Sequence, residues 1–206
     1  MSESEGLVHV IDDDEQVRDG LRRFLGSEGY DVQCFPSATA FLEQLPDLEE
    51  PGCVVLDVMM PGMTGLELQD ELGELQSRAP IVFVSGHGSI PMTVRALQKG
   101  ATTFLEKPID ADQFLDAVAR AVEGHASLID HERDLAEIRR RMDSLSTRER
   151  QVCSLVAGGL PNKQIAARLG ISLSTVKLHR GRVMEKMAVA SLAELVRLVE
   201  RVDQDD

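Results

Sequence analysis

Five short apolar runs alternate with amphipathic stretches over residues 1–124 of this 206-residue chain. Each run is long enough for one β-strand, and the stretches between them repeat apolar residues at helical spacing, as Val17, Leu21 and Leu25 do. Strands that alternate with helices favour a parallel sheet covered by helices on both faces. We therefore predict an α/β fold, a doubly wound five-stranded parallel sheet, with strands at residues 7–11, 31–34, 53–58, 81–84 and 102–105.

Polar side chains stand where several of these predicted strands end. Ligands of a doubly wound sheet bind beyond the carboxyl ends of its strands, so these residues should converge at one edge. Three carboxylates in such a place raise one another's pKa values unless a cation lies among them, and Mg²⁺ suits a site with few carboxylates and several waters. The residues expected at this edge are Asp12, Asp13, Asp57, Ser85 and Lys107.

Asp57 is the candidate nucleophile of this cluster. A carboxylate beside a metal ion and the ammonium of Lys107 is suited to accept a phosphoryl group, because the two cations neutralise the phosphoryl oxygens. The Ser85 hydroxyl would donate a hydrogen bond, and the Lys107–Pro108 bond is a candidate for the cis form. Singly, each residue has a structural explanation: residues 12–14 cap a helix, Ser85 forms a turn, and Lys107 lies on the surface. We favour the functional interpretation because all of them fall at strand ends.

Residues 125–143 are predicted to form a helical linker between domains at residues 1–124 and 144–206. Two alternatives for this helix stay open: its apolar stripe packs on a domain or on a second copy, or the helix is solvated and frayed. The stripe consists of Leu128, Leu135, Ile138, Met142 and Leu145.

Residues 144–206 carry helix signals and no strand signal, so we predict an all-α domain of four short helices. Candidate N-terminal caps of these helices are Ser146, Asn162, Ser172 and Ser191, with Asp14 as a further candidate in the first domain.

Residues 172–187 form a helix with one apolar and one basic face when they are projected at 100° per residue. A basic face with an exposed leucine suits the DNA major groove, although a solvated basic helix explains the projection equally well. Arg180 falls on the apolar arc, and we expect a partly buried guanidinium paired with Glu149. The apolar arc holds Leu173, Val176, Val183, Met184 and Met187; the basic face holds Thr175, Lys177, Leu178, Arg182 and Lys186, with His179 at its margin.

The charge of the chain is divided between its two halves. Residues 1–124 hold 8 lysines and arginines against 23 aspartates and glutamates, whereas residues 144–187 hold 8 against 2. Partners of opposite charge are therefore expected for the two halves. No stretch approaches the roughly 18 apolar residues of a membrane span, and the acidic start is unlike a signal peptide, so we expect a cytoplasmic protein without a membrane partner.

The segments IDDDEQVR, VVLDVMMPGMTGLEL, IVFVSGHGSIPMTVRALQKGA and FLEKP resemble the receiver domain of two-component response regulators, in particular the NarL/FixJ family. The resemblance covers residues 5 to about 122 and implies a flavodoxin-like fold. It implies that Asp57 is the phosphoacceptor and that Lys107 pairs with the phosphoryl group. It further implies that Asp12, Asp13, Asp57 and the main-chain carbonyl of Met59 hold Mg²⁺, and that Ser85 and Phe104 are the switch pair.

The stretch from Leu145 to Val196 resembles the LuxR-type helix-turn-helix of the same family, with LSTRERQV, GGLPNKQIAARLGISLSTVKLHRGRVMEKM and ASLAELV as its motifs. The resemblance implies that residues 164–169 form the positioning helix and that Lys163 and Thr175 contact phosphates. It implies that Lys177, Leu178 and Arg182 face base edges; Arg182 departs from the smaller polar residues of relatives. His179 and Lys186 complete the predicted DNA-binding set.

Together these features predict a transcriptional regulator that is not an enzyme. A sensor histidine kinase would phosphorylate Asp57, and the protein would then form a homodimer and bind promoter DNA, with RNA polymerase as a further candidate partner. Val94, Arg95 and Gln98 lie on the expected dimer face. Two other classes stay open: an enzyme that acts on phosphate esters at the carboxylates, and a phosphate-controlled module that binds protein through its basic helices.

Overall fold

The computed structural model describes residues 5–44, 50–86 and 89–205 of the chain. Five strands form one parallel sheet, which confirms the predicted fold class. They are β1 (Leu7–Ile11), β2 (Asp31–Phe35), β3 (Gly52–Asp57), β4 (Ile81–Ser85) and β5 (Thr103–Glu106). Their order is β2-β1-β3-β4-β5, so β3 lies at the centre and every strand end that carries a candidate residue points to the same edge.

Helices cover both faces of the sheet, as its apolar strands require. Alternate residues of β3 show this: Val54 and Leu56 belong to one buried cluster, whereas Cys53 and Val55 belong to the cluster on the opposite face. The helices that follow the strands in turn are α1 (Glu15–Ser27), α2 (Ala38–Gln44), α3 (Gly65–Glu74), α4 (Ile90–Gln98) and α5 (Ala111–Asp143).

The chain divides into two compact units, Met1–Ile129 and Asp130–Asp206. The helix α5 has 33 residues, and the boundary between the two units falls within it, so its first part belongs to the first unit and its last part to the second. Leu135 and Ile138, on the predicted apolar stripe, are buried in the core of the second unit together with Leu145. This part of the linker segment therefore packs on its own helical domain and is not a solvated helix.

The second unit contains the four predicted helices: α6 (Thr147–Ala157), α7 (Asn162–Leu169), α8 (Leu173–Lys186) and α9 (Leu192–Asp203). The side chains of Ser146, Ser172 and Ser191 accept hydrogen bonds from backbone N–H groups in the first turns of α6, α8 and α9, as predicted. Asp14 caps α1 in the same way.

One predicted cap is wrong. Asn162 is the first residue of α7, and the N-cap position is held by Pro161, which has no side-chain donor or acceptor. The Asn162 side chain instead accepts a hydrogen bond from Arg180 in α8.

None of the helices in the described parts of the chain combines the length and the apolar character that crossing a membrane demands.

Candidate functional site

Three carboxylates meet at the carboxyl edge of the sheet. Asp12 and Asp13 follow β1, and Asp57 is the last residue of β3, the neighbour of β1. Each of the three offers an oxygen that lies within 4.8 Å of the others. Asp12 and Asp57 are buried, whereas Asp13 is exposed, so the cluster opens to solvent on one side.

Lys107 supplies the positive charge of this cluster. Its ammonium nitrogen lies 2.7 Å from Oδ2 of Asp12 and 3.8 Å from Oδ1 of Asp57. The first distance is that of a charge-assisted hydrogen bond, and the second is an ion pair without a hydrogen bond. The Lys107–Pro108 peptide bond is cis.

Asp57 is the buried carboxylate of the group that has one oxygen without a hydrogen bond. Burial raises its pKa above the usual value, an effect that the ammonium of Lys107 opposes and the charge of Asp12 reinforces. Its Oδ1 atom is buried and has no hydrogen-bond partner among the described residues. A buried acceptor of this kind is costly unless a ligand, a metal ion or water satisfies it.

The donor set fits a hard divalent cation. Carboxylate oxygens from Asp12, Asp13 and Asp57 are the ligand type that Mg²⁺ prefers, and the unpartnered Oδ1 leaves one of them available. Met59, two residues beyond β3, has an exposed side chain and brings its main chain to the same loop. These residues could therefore hold Mg²⁺.

Ser85 and Phe104 lie on the neighbouring strands β4 and β5. Ser85 is fully buried as the last residue of β4, and its carbonyl accepts a hydrogen bond from the backbone N–H of Lys107. Phe104 is half-buried, and its ring stacks on that of Phe83 with centroids 6.0 Å apart. The strand pairing thus links the serine directly to the lysine of the acidic cluster.

Two residues that shape this site were not singled out from the sequence. Gly65 begins α3, and a Cβ atom there would lie 2.2 Å from the backbone oxygen of Asp57, so only glycine allows the helix to start here. Arg18 donates a 2.7 Å hydrogen bond to the backbone oxygen of Asp12. The motif PGMTG offered a signal for the glycine, whereas the arginine is one of several on α1.

A second candidate site lies on α8, where the predicted basic face is largely exposed. Lys177, Leu178 and Arg182 have exposed side chains, with Leu178 54% exposed. Thr175 is half-buried, and its hydroxyl oxygen lies 2.7 Å from that of Ser172. His179, also half-buried, keeps its Nδ1 atom buried without a hydrogen-bond partner among the described residues.

The opposite side of α8 differs from the helical projection at one position. Val176, Val183 and Met187 are buried as predicted, but Leu173 is 39% exposed because it lies in the first turn of α8, at the edge of the domain. Lys163, the second residue of α7, is exposed.

The partner predicted for Arg180 is wrong. Its guanidinium is partly buried, as expected, but it donates a 3.0 Å hydrogen bond to the side-chain oxygen of Asn162. Glu149 pairs instead with Lys186, the last residue of α8, at 2.7 Å. The projection could not separate these two cations, because it contains no information on the neighbouring helices.

Comparisons with known proteins match both parts of the chain to described families. Residues 8–119 match the family model of the response regulator receiver domain, and residues 143–199 match that of bacterial regulatory proteins of the luxR family. The chain is 42% identical over 202 residues to the response regulator protein TmoT of Ectopseudomonas mendocina, with 98% of this chain and 91% of TmoT covered. It is 44% identical over 191 residues to the transcriptional regulatory protein FixJ of Rhizobium meliloti strain 1021, with 93% of each covered.

Solved structures extend the similarity to three dimensions. The response regulator StyR matches with a TM-score of 0.88 and 46% identity, covering 95% of this chain and 98% of StyR. Full-length FixJ from B. japonicum matches with a TM-score of 0.61 and 42% identity, covering 98% of this chain and 99% of FixJ. The chain therefore belongs to the two-component response regulators of the NarL/FixJ family, which join a receiver domain to a LuxR-type helix-turn-helix DNA-binding domain and regulate transcription.

Proposed function

We propose that Asp57 accepts a phosphoryl group from a sensor histidine kinase and that this modification controls promoter binding. The observation that carries the proposal is the arrangement of Asp57, whose Oδ1 atom has no hydrogen bond among the described residues and lies 3.8 Å from the ammonium of Lys107. A carboxylate that is buried, unsatisfied and beside a fixed cation is suited to become a phosphorylated one.

In the transfer, a carboxylate oxygen of Asp57 forms a bond to phosphorus while the bond between phosphorus and the kinase histidine nitrogen breaks. The imidazole leaves with the electron pair, and the product is an acyl phosphate. When bound by Asp12, Asp13, Asp57 and the Met59 carbonyl, Mg²⁺ would supply positive charge to the phosphoryl oxygens. Lys107 would supply the second positive charge, moving from Asp12 toward the new dianion.

The added phosphoryl group carries about −1.5 to −2 charges and three acceptor oxygens. The Ser85 hydroxyl, at the end of β4, would donate to one of them, and Phe104 would follow it inward. This change would alter the surface formed by α4 and β5, residues 90–98 and 103–106. We infer that the altered surface is the dimer face, because Val94 is 45% exposed there.

The exposed face of α8 is proposed to enter the major groove of promoter DNA. Lys177 and Arg182 would meet phosphates and guanine edges, and the exposed tip of Leu178 would contact a thymine methyl group. Lys163 and Thr175 would contact phosphates and set the register. His179 stands beside this face. Two copies would read paired half-sites, which raises affinity beyond that of one domain.

Phosphorylation is tested by incubating the full chain with an acyl phosphate and Mg²⁺ and measuring the mass of the intact protein. We expect one phosphoryl group on the wild type, none on Asp57→Asn, and one on the control Asp116→Asn, which changes an exposed aspartate of α5. Labelling of Asp57→Asn to the wild-type level would refute the assignment.

Dimerisation and DNA binding are tested on the same preparations by light scattering and footprinting. The phosphorylated wild type should be dimeric and protect paired half-sites, whereas Val94→Asp should stay monomeric and Lys177→Ala should lose protection. Steady turnover of phosphate esters beyond one equivalent per chain would favour an enzyme, and a protein that protects no DNA would favour a protein-binding module.

We also propose that the protein is cytoplasmic, that it is not an enzyme and that RNA polymerase is a further partner.

A further inference from the structure

The last turn of α8 is held by residues from the end of α5 and the start of α6. The ammonium of Lys186 donates to Oε2 of Glu149 at 2.7 Å and to the carbonyl oxygen of Ser144 at 3.0 Å. Arg141, in the last turn of α5, donates to the carbonyl oxygen of Met187 at 3.3 Å. Two cations thus connect the end of the DNA-facing helix to the α5–α6 junction.

Glu149 is the centre of this arrangement. Its side chain is only 4% exposed, and it also accepts a hydrogen bond from the backbone N–H of Ser146, which completes the capping box of α6. The donors Lys186 and Ser146 lower the pKa of Glu149 to about 2, so the carboxylate stays ionised. A buried anion of this kind needs its cation, and Lys186 is the cation that the structure supplies.

Arg141 contributes a second, independent contact. It reaches the carbonyl at the C-terminal end of α8, where a positive charge also interacts favourably with the helix dipole. Its orientation is set by Glu137, one turn earlier in α5, through a 2.8 Å hydrogen bond. The neighbouring Arg140 also pairs with Glu137 but is 79% exposed and has no described contact with α8.

Lys186 therefore differs from the other cations of the basic face. Lys177, Arg182 and Lys186 are all exposed, Lys186 with 38% of its side chain, but within the described residues neither Lys177 nor Arg182 forms an ion pair or a side-chain hydrogen bond. Their charges are available to phosphates, whereas the charge of Lys186 is already used by Glu149 and Ser144.

We propose that Lys186 is a positioning residue and not a phosphate contact: with Arg141, it fixes the last turn of the recognition helix α8 to the α5–α6 junction, so that the exposed side chains of α8 meet the bases in one register. This inference rests on the proposed DNA-binding function and deepens it. It replaces the direct DNA contact that the helical projection predicted for Lys186.

The test separates a phosphate contact from a positioning role by the salt dependence of DNA affinity. Each neutralised phosphate adds about one unit to the slope of log affinity against log salt. The probes are a duplex selected from a random pool with the phosphorylated wild-type protein, and a scrambled duplex of the same length. Full-length Lys186→Met, Arg141→Met and Lys177→Met are compared, with Arg140→Met as the matched control for Arg141.

We expect Lys186→Met and Arg141→Met to keep the wild-type salt slope while binding the selected duplex about tenfold more weakly relative to the scrambled one, the scale of a mismatched base pair. Lys177→Met should lower the slope by about one unit on both duplexes. Arg140→Met should behave as the wild type. Lys186→Arg, which keeps a cation beside Glu149, should recover most of the lost discrimination.

Circular dichroism checks that each variant is folded at the assay temperature. If Lys186→Met does not fold, the double variant Glu149→Gln/Lys186→Met removes both charges and takes its place, with the same expected loss of discrimination. A salt slope lowered by about one unit in Lys186→Met or in the double variant would overturn the proposal. Unchanged discrimination between the selected and the scrambled duplex would overturn it as well. If Lys177→Met also leaves slope and affinity unchanged, the proposed DNA-binding face fails, and the positioning role fails with it.

Discussion

The ammonium of Lys107, the residue after β5, lies 2.7 Å from Oδ2 of Asp12, the residue after β1. These residues are 95 positions apart in the sequence, and β3 and β4 lie between their strands in the sheet. Lys107 therefore extends along the carboxyl edge of the sheet and pairs with both Asp12 and Asp57. Asp57, at the end of the central strand, lies within this span.

Lys107→Met should destabilise the receiver domain by about 1–3 kcal/mol at neutral pH, because Asp12 and Asp57 then face each other without a cation. The lysine is 26% exposed, so the cost stays below that of a fully buried pair. Urea unfolding measures the loss, and millimolar Mg²⁺ should restore more stability to the variant than to the wild type. Lys99→Met, which removes an exposed pair with Asp70, is the control and should cost less than about 1 kcal/mol. Equal costs in the two variants would contradict this account of the cluster.

Gly65→Ala should cost about 1–3 kcal/mol or more, because the new Cβ would lie 2.2 Å from the backbone oxygen of Asp57. The same substitution at Gly73, in the same helix α3, meets no atom within 4 Å and should stabilise the protein by about 0.5–1 kcal/mol. Thermal unfolding of both variants provides the comparison. A Gly65→Ala protein as stable as Gly73→Ala would show that α3 can shift away from the site without cost.

His9 should make the protein less stable in acid. It is 2% exposed and packs against the rings of Phe35 and Phe41, and burial lowers its pKa to about 4 from 6.5. The unfolded chain therefore binds this proton more strongly than the folded chain, and stability present above pH 6.5 is lost as the pH falls toward 4, by up to about 3 kcal/mol.

The variant His9→Leu removes this titration and places an apolar side chain against the two rings. Denaturant unfolding of the variant and the wild type, measured at several pH values across this range, isolates the contribution of His9 from that of the carboxylates. We expect the difference in unfolding free energy to shift in favour of the variant as the pH falls. A difference that does not change with pH would show that His9 does not titrate in this range.

The end of α5 should stabilise the DNA-binding domain. Leu135 is 2% exposed within the core of the second unit, and Leu135→Ala should cost that unit about 2–5 kcal/mol. Leu178→Ala, at a 54% exposed position of α8, should change stability by less than about 0.5 kcal/mol but weaken DNA binding.

The same packing predicts how fragments behave. A fragment of residues 130–206 should unfold cooperatively on heating, because it retains Leu135 and Ile138 in its core. A fragment that begins at residue 144 lacks both side chains and should melt at a clearly lower temperature. Equal melting temperatures would show that the end of α5 only rests on the domain surface.

Much of the receiver domain could be predicted from the sequence for a simple geometric reason. Parallel strands bring their carboxyl ends to one edge, so the placement of Asp12, Asp57 and Lys107 follows from knowing where each strand ends. The apolar runs marked these ends within one or two residues. Gly65 was not singled out because its role depends on the close approach of α3 to β3: the motif PGMTG indicates a turn there, but only the packing shows the contact.

The helical domain was less predictable, because a helical projection assigns every residue to a face without showing what lies opposite. Lys177 and Lys186 both fall on the basic face, yet only Lys186 has Glu149 within reach. Arg180 is partly buried as expected, but the side chain that it meets is Asn162. The linker stripe likewise left open whether it packs or is solvated.

The order of apolar and polar residues along the chain was enough to predict the parallel sheet and the four helices, because periodicity is a local property, and the resemblance of the motifs identified the family. Tertiary structure alone decided which charge meets which: Lys107 with Asp12, Lys186 with Glu149, and Arg141 with the end of α8. Ion pairs and hydrogen bonds depend on distances of about 3 Å between residues far apart in sequence, and only the packing of the helices and strands sets those distances.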